Sequence, residues 1–223
     1  MGIKELLQQR RSIRAFSDQP VSQSKIEAIL LEAGLSASGG NLQPWKVYVL
    51  AGQARQGLID AVASKLAQGL TQDNTDAETY PARLKEPYRT RRYDCGMALY
   101  DALGIDRKDR PARQRQWEAN LTFFGAPVGL MFTMDRLMGK AQYLDLGIFF
   151  QTVMLSAQER GLSTCAQRSW APWGQTISEQ LNIADDEQVI VGMALGYADT
   201  TDAVNQYEMG RAGLDEIASF DGF

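Results

Sequence analysis

The sequence predicts an α+β domain, and three observations carry that reading. APVGLMFTM (126–134) is a near-continuous apolar run of strand length, as expected for a strand covered on both faces. Residues 141–161 place Leu144, Leu146, Ile148, Phe149, Phe150, Val153, Met154 and Leu155 around most of a helical circumference, and a helix apolar on nearly all sides must be buried on nearly all sides. Predicted strands and helices then follow one another without regular β-α alternation, which favours α+β over a parallel α/β fold.

The elements can be justified in order. Ile3, Leu6 and Leu7 lie at helical spacing and predict a short helix to about Gln9. In SQSKIEAILLEAGLS, Ser24 and Glu27 have capping-box spacing, Ile26, Ile29, Leu30 and Ala33 share a face, and Gly34 ends the helix. SASGGNLQPW (36–45) is a loop by composition, with an extended geometry favoured before Pro44. WKVYVLAG is a strand, and GQARQGLIDAVASKLAQ a helix with polar flanks. Residues 71–115 are polar, charged and broken by prolines, with some helix expected around 96–103. This is read as an insertion or lid within one domain spanning 1–223, because it is too polar to build its own core. LSTCAQRSWAPWG (162–174) reads as a loop, QVIVGMALGYAD (188–199) as a second buried strand followed by a turn, and LDEIASF (214–220) as an apolar-spaced tail that needs a surface to pack on. The all-round apolar helix at 141–161 points to burial partly by a second subunit.

The chain has 223 residues, 23 basic and 27 acidic, for a net charge of −4. That balance argues against general nucleic-acid or membrane-surface binding. Ten Lys or Arg residues nevertheless crowd between positions 83 and 115. Two cysteines, Cys95 and Cys165, make neither a disulfide framework nor a zinc site. The start, MGIKELLQQRR, is unlike a signal peptide, and no apolar run approaches the roughly 18 residues of a membrane span. A reduced, cytoplasmic protein is expected. Histidine is absent altogether, which removes the usual general base, the Ser-His and Cys-His dyads and the commonest metal ligand. Without P-loop or Rossmann glycine motifs as well, an enzyme of this composition would lean on a bound cofactor.

Four stretches could carry chemistry. In RRSIRAF, Arg10, Ser12 and Arg14 alternate, so an extended segment puts them on one face; two guanidiniums and a hydroxyl suit a phosphate, although the motif alone reads first as a solvated surface cluster. SASGGNLQPW offers close backbone approach at Gly39 and Gly40 and hydrogen-bonding groups at Ser38, Asn41 and Gln43, or a plain turn. Cys165 in LSTCAQRSW has no histidine to activate it and reads as a small buried residue rather than a nucleophile. The arginines between 89 and 115 rim a pocket for an anion, bind nucleic acid, or form an internally paired surface. Asp135, Asp145, Asp185 and Asp186 read as caps or exposed residues.

Taken in order, RRSIRAF, SASGGNLQPWKVYVL, GLSTCAQRSW, ALGYAD and an arginine in the tail resemble the nitroreductase family of FMN flavoproteins, and EPYRTRRYDCGMALYDALGI resembles its bacterial nitrobenzoate and nitrobenzene reductases. The resemblance implies a mostly antiparallel or mixed sheet flanked by helices, in an intertwined homodimer with two FMN sites at the interface and C-terminal segments wrapping the partner. It implies that Arg10, Ser12 and Arg211 grip the FMN phosphate, that Arg11 helps through backbone or stem, and that Arg14 reaches the pyrimidine edge of the ring. Ala37, Ser38, Gly39 and Asn41 would come from the partner subunit, with Ala166 and Gln167 beside the ring. Arg89, Arg91, Arg92 and Asn120 would face the substrate. The implied reaction takes hydride from NADH or NADPH and passes it to a nitroarene, some of them carboxylated, or to a quinone, with no metal, nucleic acid or membrane. Reductive dehalogenation, flavin reduction and non-catalytic flavin or nucleic-acid binding are the alternatives.

Overall fold

The computed structural model describes residues 2–73 and 80–223; residues 74–79 of the expected insertion lie outside the described residues. The helices are α1 (Ile3–Gln9), α2 (Gln23–Ala33), α3 (Gly52–Ala67), α4 (Tyr88–Ala102), α5 (Arg110–Glu118), α6 (Lys140–Glu159), α7 (Gly174–Leu181) and the one-turn α8 (Leu214–Ile217). The strands are β1 (Lys46–Ala51), β2 (Val128–Asp135), β3 (Ser163–Gln167) and β4 (Glu187–Gly196). The sheet order is β1-β2-β4-β3 and every pair is antiparallel, so the mixed alternative falls away among the named strands. Among the described residues the one parallel pairing is an isolated bridge from Ser12 to Thr164.

β2 is central and buried along almost its whole length, as its unbroken apolar run demands. Its alternating side chains feed two cores. Leu130 and Phe132 pack with Ile29, Phe149 and Val153 beneath α2 and α6. Met131 packs on the other face with Leu58, Val62, Trp170 and Ile177 beneath α3 and α7. On that second face two glycines admit large rings. A Cβ at Gly129 would lie 2.4 Å from the Phe123 ring, and one at Gly192 2.4 Å from Trp170. The rings so admitted stack on each other at 4.5 Å. Close approach to the sheet is what these positions require.

Several expectations need correction. α2 begins at Gln23 with Ser22 as its N-cap, so Ser24 and Glu27 lie within the helix and form no capping box. Residues 163–167, read as loop, form edge strand β3, and α7 follows in a stretch assigned no helix. α4 runs from Tyr88, well before the expected start at 96, and α5 follows it. Neither α4 nor α5 buries a residue, so hydrophobic periodicity carried little signal there. The start of this excursion is tied down: Asp73 accepts from Gln175 N (3.1 Å) and Thr176 N (2.9 Å), capping α7 across 103 residues of chain. α6 is not buried all round in a single chain, since Leu144 is 69% and Ile148 40% exposed.

Candidate active site

The RRSIRAF segment lies along the free edge of β3. Arg10 leaves α1 in extended geometry, Ser12 bridges Thr164, and Ile13 N donates to Thr164 O at 3.0 Å. The segment continues to Phe16, which bridges Ala198. Ile13 is buried, which turns its alternate neighbours Ser12 and Arg14 the other way. Because Thr164 addresses the free edge, the two-residue alternation of a strand turns the backbone N–H of Ala166 to that edge as well. The Ala166 side chain is small and exposed. Cys165, pointing inward, is 2% exposed; burial pushes its thiol up to about 11 despite nearby Arg14 and Arg10. It is a core residue, as the absence of histidine implied.

The tail clasps this segment. Asn205 accepts from Arg14 N (2.8 Å) and donates to Ala15 O (2.8 Å) and Asp199 O (2.8 Å). The Arg14 guanidinium donates to Ser12 O at 3.2 Å and to the Tyr207 hydroxyl at 2.7 Å. Arg11 pairs with Glu208, so its guanidinium is already committed. Burial, then the charge of Arg211, push the Arg10 guanidinium below its ordinary value. Arg10 and Arg211 are thus near neighbours, and neither forms an ion pair among the described residues. Two guanidiniums close enough to act on one another, neither paired with a carboxylate among the described residues, form a donor set suited to a phosphate.

Residues 36–43 sit elsewhere, on the flank of α6. Ser36 Oγ donates to Thr152 Oγ1 (3.0 Å), and Gly39 N donates to Asp145 Oδ1 (3.1 Å). Ser38 Oγ accepts from Gln43 N at 3.0 Å, and Asn41 O from the Gln43 amide at 3.3 Å. Gly40 takes a φ of 58° and Asn41 one of 57°, a left-handed pair that glycine and asparagine tolerate. Asp145 is neither a cap nor exposed: it is 6% exposed, and its Oδ2 is buried without a hydrogen-bond partner. No hydrogen bond joins this loop to residues 10–14 among the described residues.

The remaining predicted residues divide. Gln167 is buried, donating to Asn120 O (2.7 Å) and accepting from Trp170 Nε1 (3.4 Å), while the Asn120 amide donates to Trp117 O (2.9 Å); this pair braces β3 from behind. Arg168 reaches from the same turn to the Ile190 carbonyl, at the β4 bulge opposite Phe132 and Thr133. Arg91 faces the tail through Glu216 at 2.7 Å, whereas Arg89 pairs with Glu86 and Arg92 rests on the Tyr80 ring at 4.1 Å. Asn205, Tyr207, Glu208 and Asp145 were not anticipated. A pattern of long-range partners left no local mark on any of them.

A family model described as "Nitroreductase family" matches residues 7–197. A chloronitrobenzene nitroreductase of Comamonas testosteroni is 40% identical over 218 residues, covering 98% of this chain and 96% of that protein. A 4-nitrobenzoate reductase of Pseudomonas putida is 38% identical, covering 96% and 93%. The crystal structure of the FMN- and NADPH-dependent nitroreductase NfnB from Sphigopyxis sp. strain HMH superposes with a TM-score of 0.97 at 40% identity, both chains covered in full. That of the FMN-dependent NfnB from Mycobacterium smegmatis in complex with NADPH gives 0.91 at 32% identity, covering 98% and 97%.

Proposed function

The chain belongs to the nitroreductase family, and from that premise we propose that it is an FMN-dependent oxidoreductase drawing hydride from NADPH or NADH to reduce nitroaromatics or quinones. The single observation that carries the reading is that Arg10 and Arg211 act electrostatically on one another with no ion pair to either among the described residues, in a chain whose Ser12 and Arg14 lie on the adjoining β3 edge. FMN, when bound, supplies the hydride chemistry, which suits a protein lacking histidine. The chain's own residues bind and orient. Arg10, Ser12 and Arg211 take the phosphate by charge-assisted bonds. Arg11, spent on Glu208, contributes only its backbone and stem. Arg14, held by Tyr207, places positive charge at the ring edge and favours negative charge there. Ala166 presents its free N–H and leaves the ring face uncovered for the two flat reactants in turn.

The loop residues Ala37, Ser38, Gly39 and Asn41 act, in this reading, on the site of a second copy. Support comes from the apolar side chains one chain leaves in solvent: Leu144 and Ile148 on α6, Leu31 and Leu35 around α2, and Leu214, Ile217 and Phe220 in the tail. Exposed apolar surface of this extent marks an interface. Residues 71–115 are taken as a lid of the same domain. Arg91, the member of the 89–92 turn facing the tail, is the candidate for a carboxylated substrate; Arg89 and Arg92 face the other way. The purified protein should be yellow, and the colour should bleach when NADPH or NADH is added anaerobically and return with a nitroarene. A colourless protein that takes up no FMN would overturn the reading.

A further inference from the structure

α4 has two working faces. At about 100° per residue, Arg91 and Cys95 fall together, and they face the tail: Arg91 through Glu216, Cys95 close enough to act on the Tyr207 phenol. Arg89, Arg92, Tyr93, Gly96, Met97 and Tyr100 fall on the opposite side and line a cleft of about 780 Å³ between α4, α5 and residues 81–84. Arg83, Arg107 and Arg113 complete its wall. The arginines of this excursion were expected, on one reading, to be internally paired. Only Arg89 has a carboxylate partner among the described residues lining the cleft. Arg92, Arg107 and Arg113 lie over the rings of Tyr80, Tyr93 and Tyr100 at 4.1, 5.6 and 4.9 Å. Of the aspartates at 94, 101, 106 and 109, two bind backbone: Asp109 caps α5 at Ala112 N, and Asp106 accepts from Lys108 N. Arg113 Nε is buried with no hydrogen-bond partner.

Five guanidiniums line one concavity, in a protein of net charge −4, and four of them have no carboxylate partner among the described residues. Stacking on tyrosine orients the Arg92, Arg107 and Arg113 guanidiniums while leaving N–H edges to donate, although Arg113 Nη1 already donates to Arg107 O at 3.1 Å. A lone carboxylate satisfies one such fork; a phosphate ester carries up to two charges and three acceptor oxygens and engages several. The volume falls in the range of clefts that hold drug-sized ligands, and Tyr93, Met97 and Tyr100 offer walls for a flat ring. We propose that this cleft is a second ligand site, on the far face of α4 from the Arg14 corner, that takes an aromatic phosphate ester of the adenine nucleotide class. Two sources share that chemistry: a free adenine nucleotide, and the 2′-phosphoadenosine end of the nicotinamide donor. Only the second rests on the proposed reaction.

Titration calorimetry on the flavin-loaded protein tests this with 2′,5′-ADP, 5′-AMP, adenosine and benzoate. The two phosphates should bind, adenosine and benzoate at least tenfold more weakly, and phosphate binding should weaken as salt rises. Arg92→Gln combined with Arg107→Gln breaks no hydrogen bond seen among the described residues, and should lower phosphate affinity about tenfold or more. FMN retention and Tm should hold, and a Lys pair at both positions, keeping charge without the planar fork, should fall between. A raised KM for NADPH with an unchanged KM for NADH identifies the donor as the source; unchanged KM values identify a free nucleotide. No binding by either phosphate, binding insensitive to both pairs of substitutions, or benzoate binding as tightly as phosphate would each overturn the proposal. A colourless protein that still binds 5′-AMP through these arginines would leave it standing while the flavin reading fell.

Discussion

The Arg14 guanidinium donates to the hydroxyl of Tyr207 at 2.7 Å across 193 residues of chain. The Tyr207 phenol is pushed up by burial, against the pull of Arg14, so at neutral pH it is an uncharged acceptor that orients the cation without cancelling it. Arg14→Ala should therefore lower the reduction potential of bound FMN by on the order of 30–60 mV, the equivalent of one charge-assisted hydrogen bond. Tyr207→Phe should lower it by less. Arg10→Ala should instead raise the Kd for FMN about tenfold or more and leave the potential nearly alone. Spectroelectrochemical titration separates the two roles; an Arg14→Ala potential equal to wild type would remove the ring assignment.

Asp145 holds the Gly39 loop from within α6. Asp145→Ala strands the Gly39 N–H and should cost about 1–3 kcal/mol of stability, with faster loss of FMN if the loop serves a second copy's site. Asp145→Asn keeps an acceptor and should cost less. Urea unfolding, read alongside the rate of flavin release, distinguishes a loop defect from a general one.

The two thiols should behave oppositely. Cys95 is exposed and Cys165 buried, so a thiol reagent should label one cysteine per native chain and the second only on unfolding. Burial raises the Cys165 thiol from 9.0 to about 11. Below pH 9 both states keep the proton and no pH dependence arises. Between about 9 and 11 the unfolded chain loses it first, so stability falls as pH rises, by at most about 1.4 kcal/mol per pH unit. Tyr207 is shifted the same way, so Cys165→Ala should flatten this alkaline limb rather than abolish it.

Leu144→Glu with Ile148→Glu should halve the mass seen by analytical ultracentrifugation and weaken FMN retention together. A variant of unchanged mass and unchanged flavin content would count against both the dimer and the loop in trans.

Legibility in the sequence followed burial. β2, β4, α3 and α6 announced themselves through apolar runs or stripes, because each buries a continuous face. β3 did not: STCAQ is short, and its pairing with β4 rather than its hydrophobicity makes it a strand. α4 was only partly visible, since arginine–tyrosine stacking takes the place of an apolar stripe along it. At the site, RRSIRAF could be read because alternation brings its own residues to one face. Asn205, Tyr207 and Asp145 could not, because each reaches the site's other residues through a partner more than a hundred residues away.

The Asn205 side chain joins Arg14 and Ala15 to a residue 191 positions on, and Ile13 waits for Thr164 in the same way. Chains emerge from synthesis N-terminus first, so the RRSIRAF segment leaves the ribosome well before Thr164 and Asn205, the partners that hold it. A nascent or truncated chain ending before Asn205 would hold all four strands and most of both cores, yet could not close this corner, and on the proposed reading flavin uptake would discriminate chains that include Asn205 from chains that stop short of it.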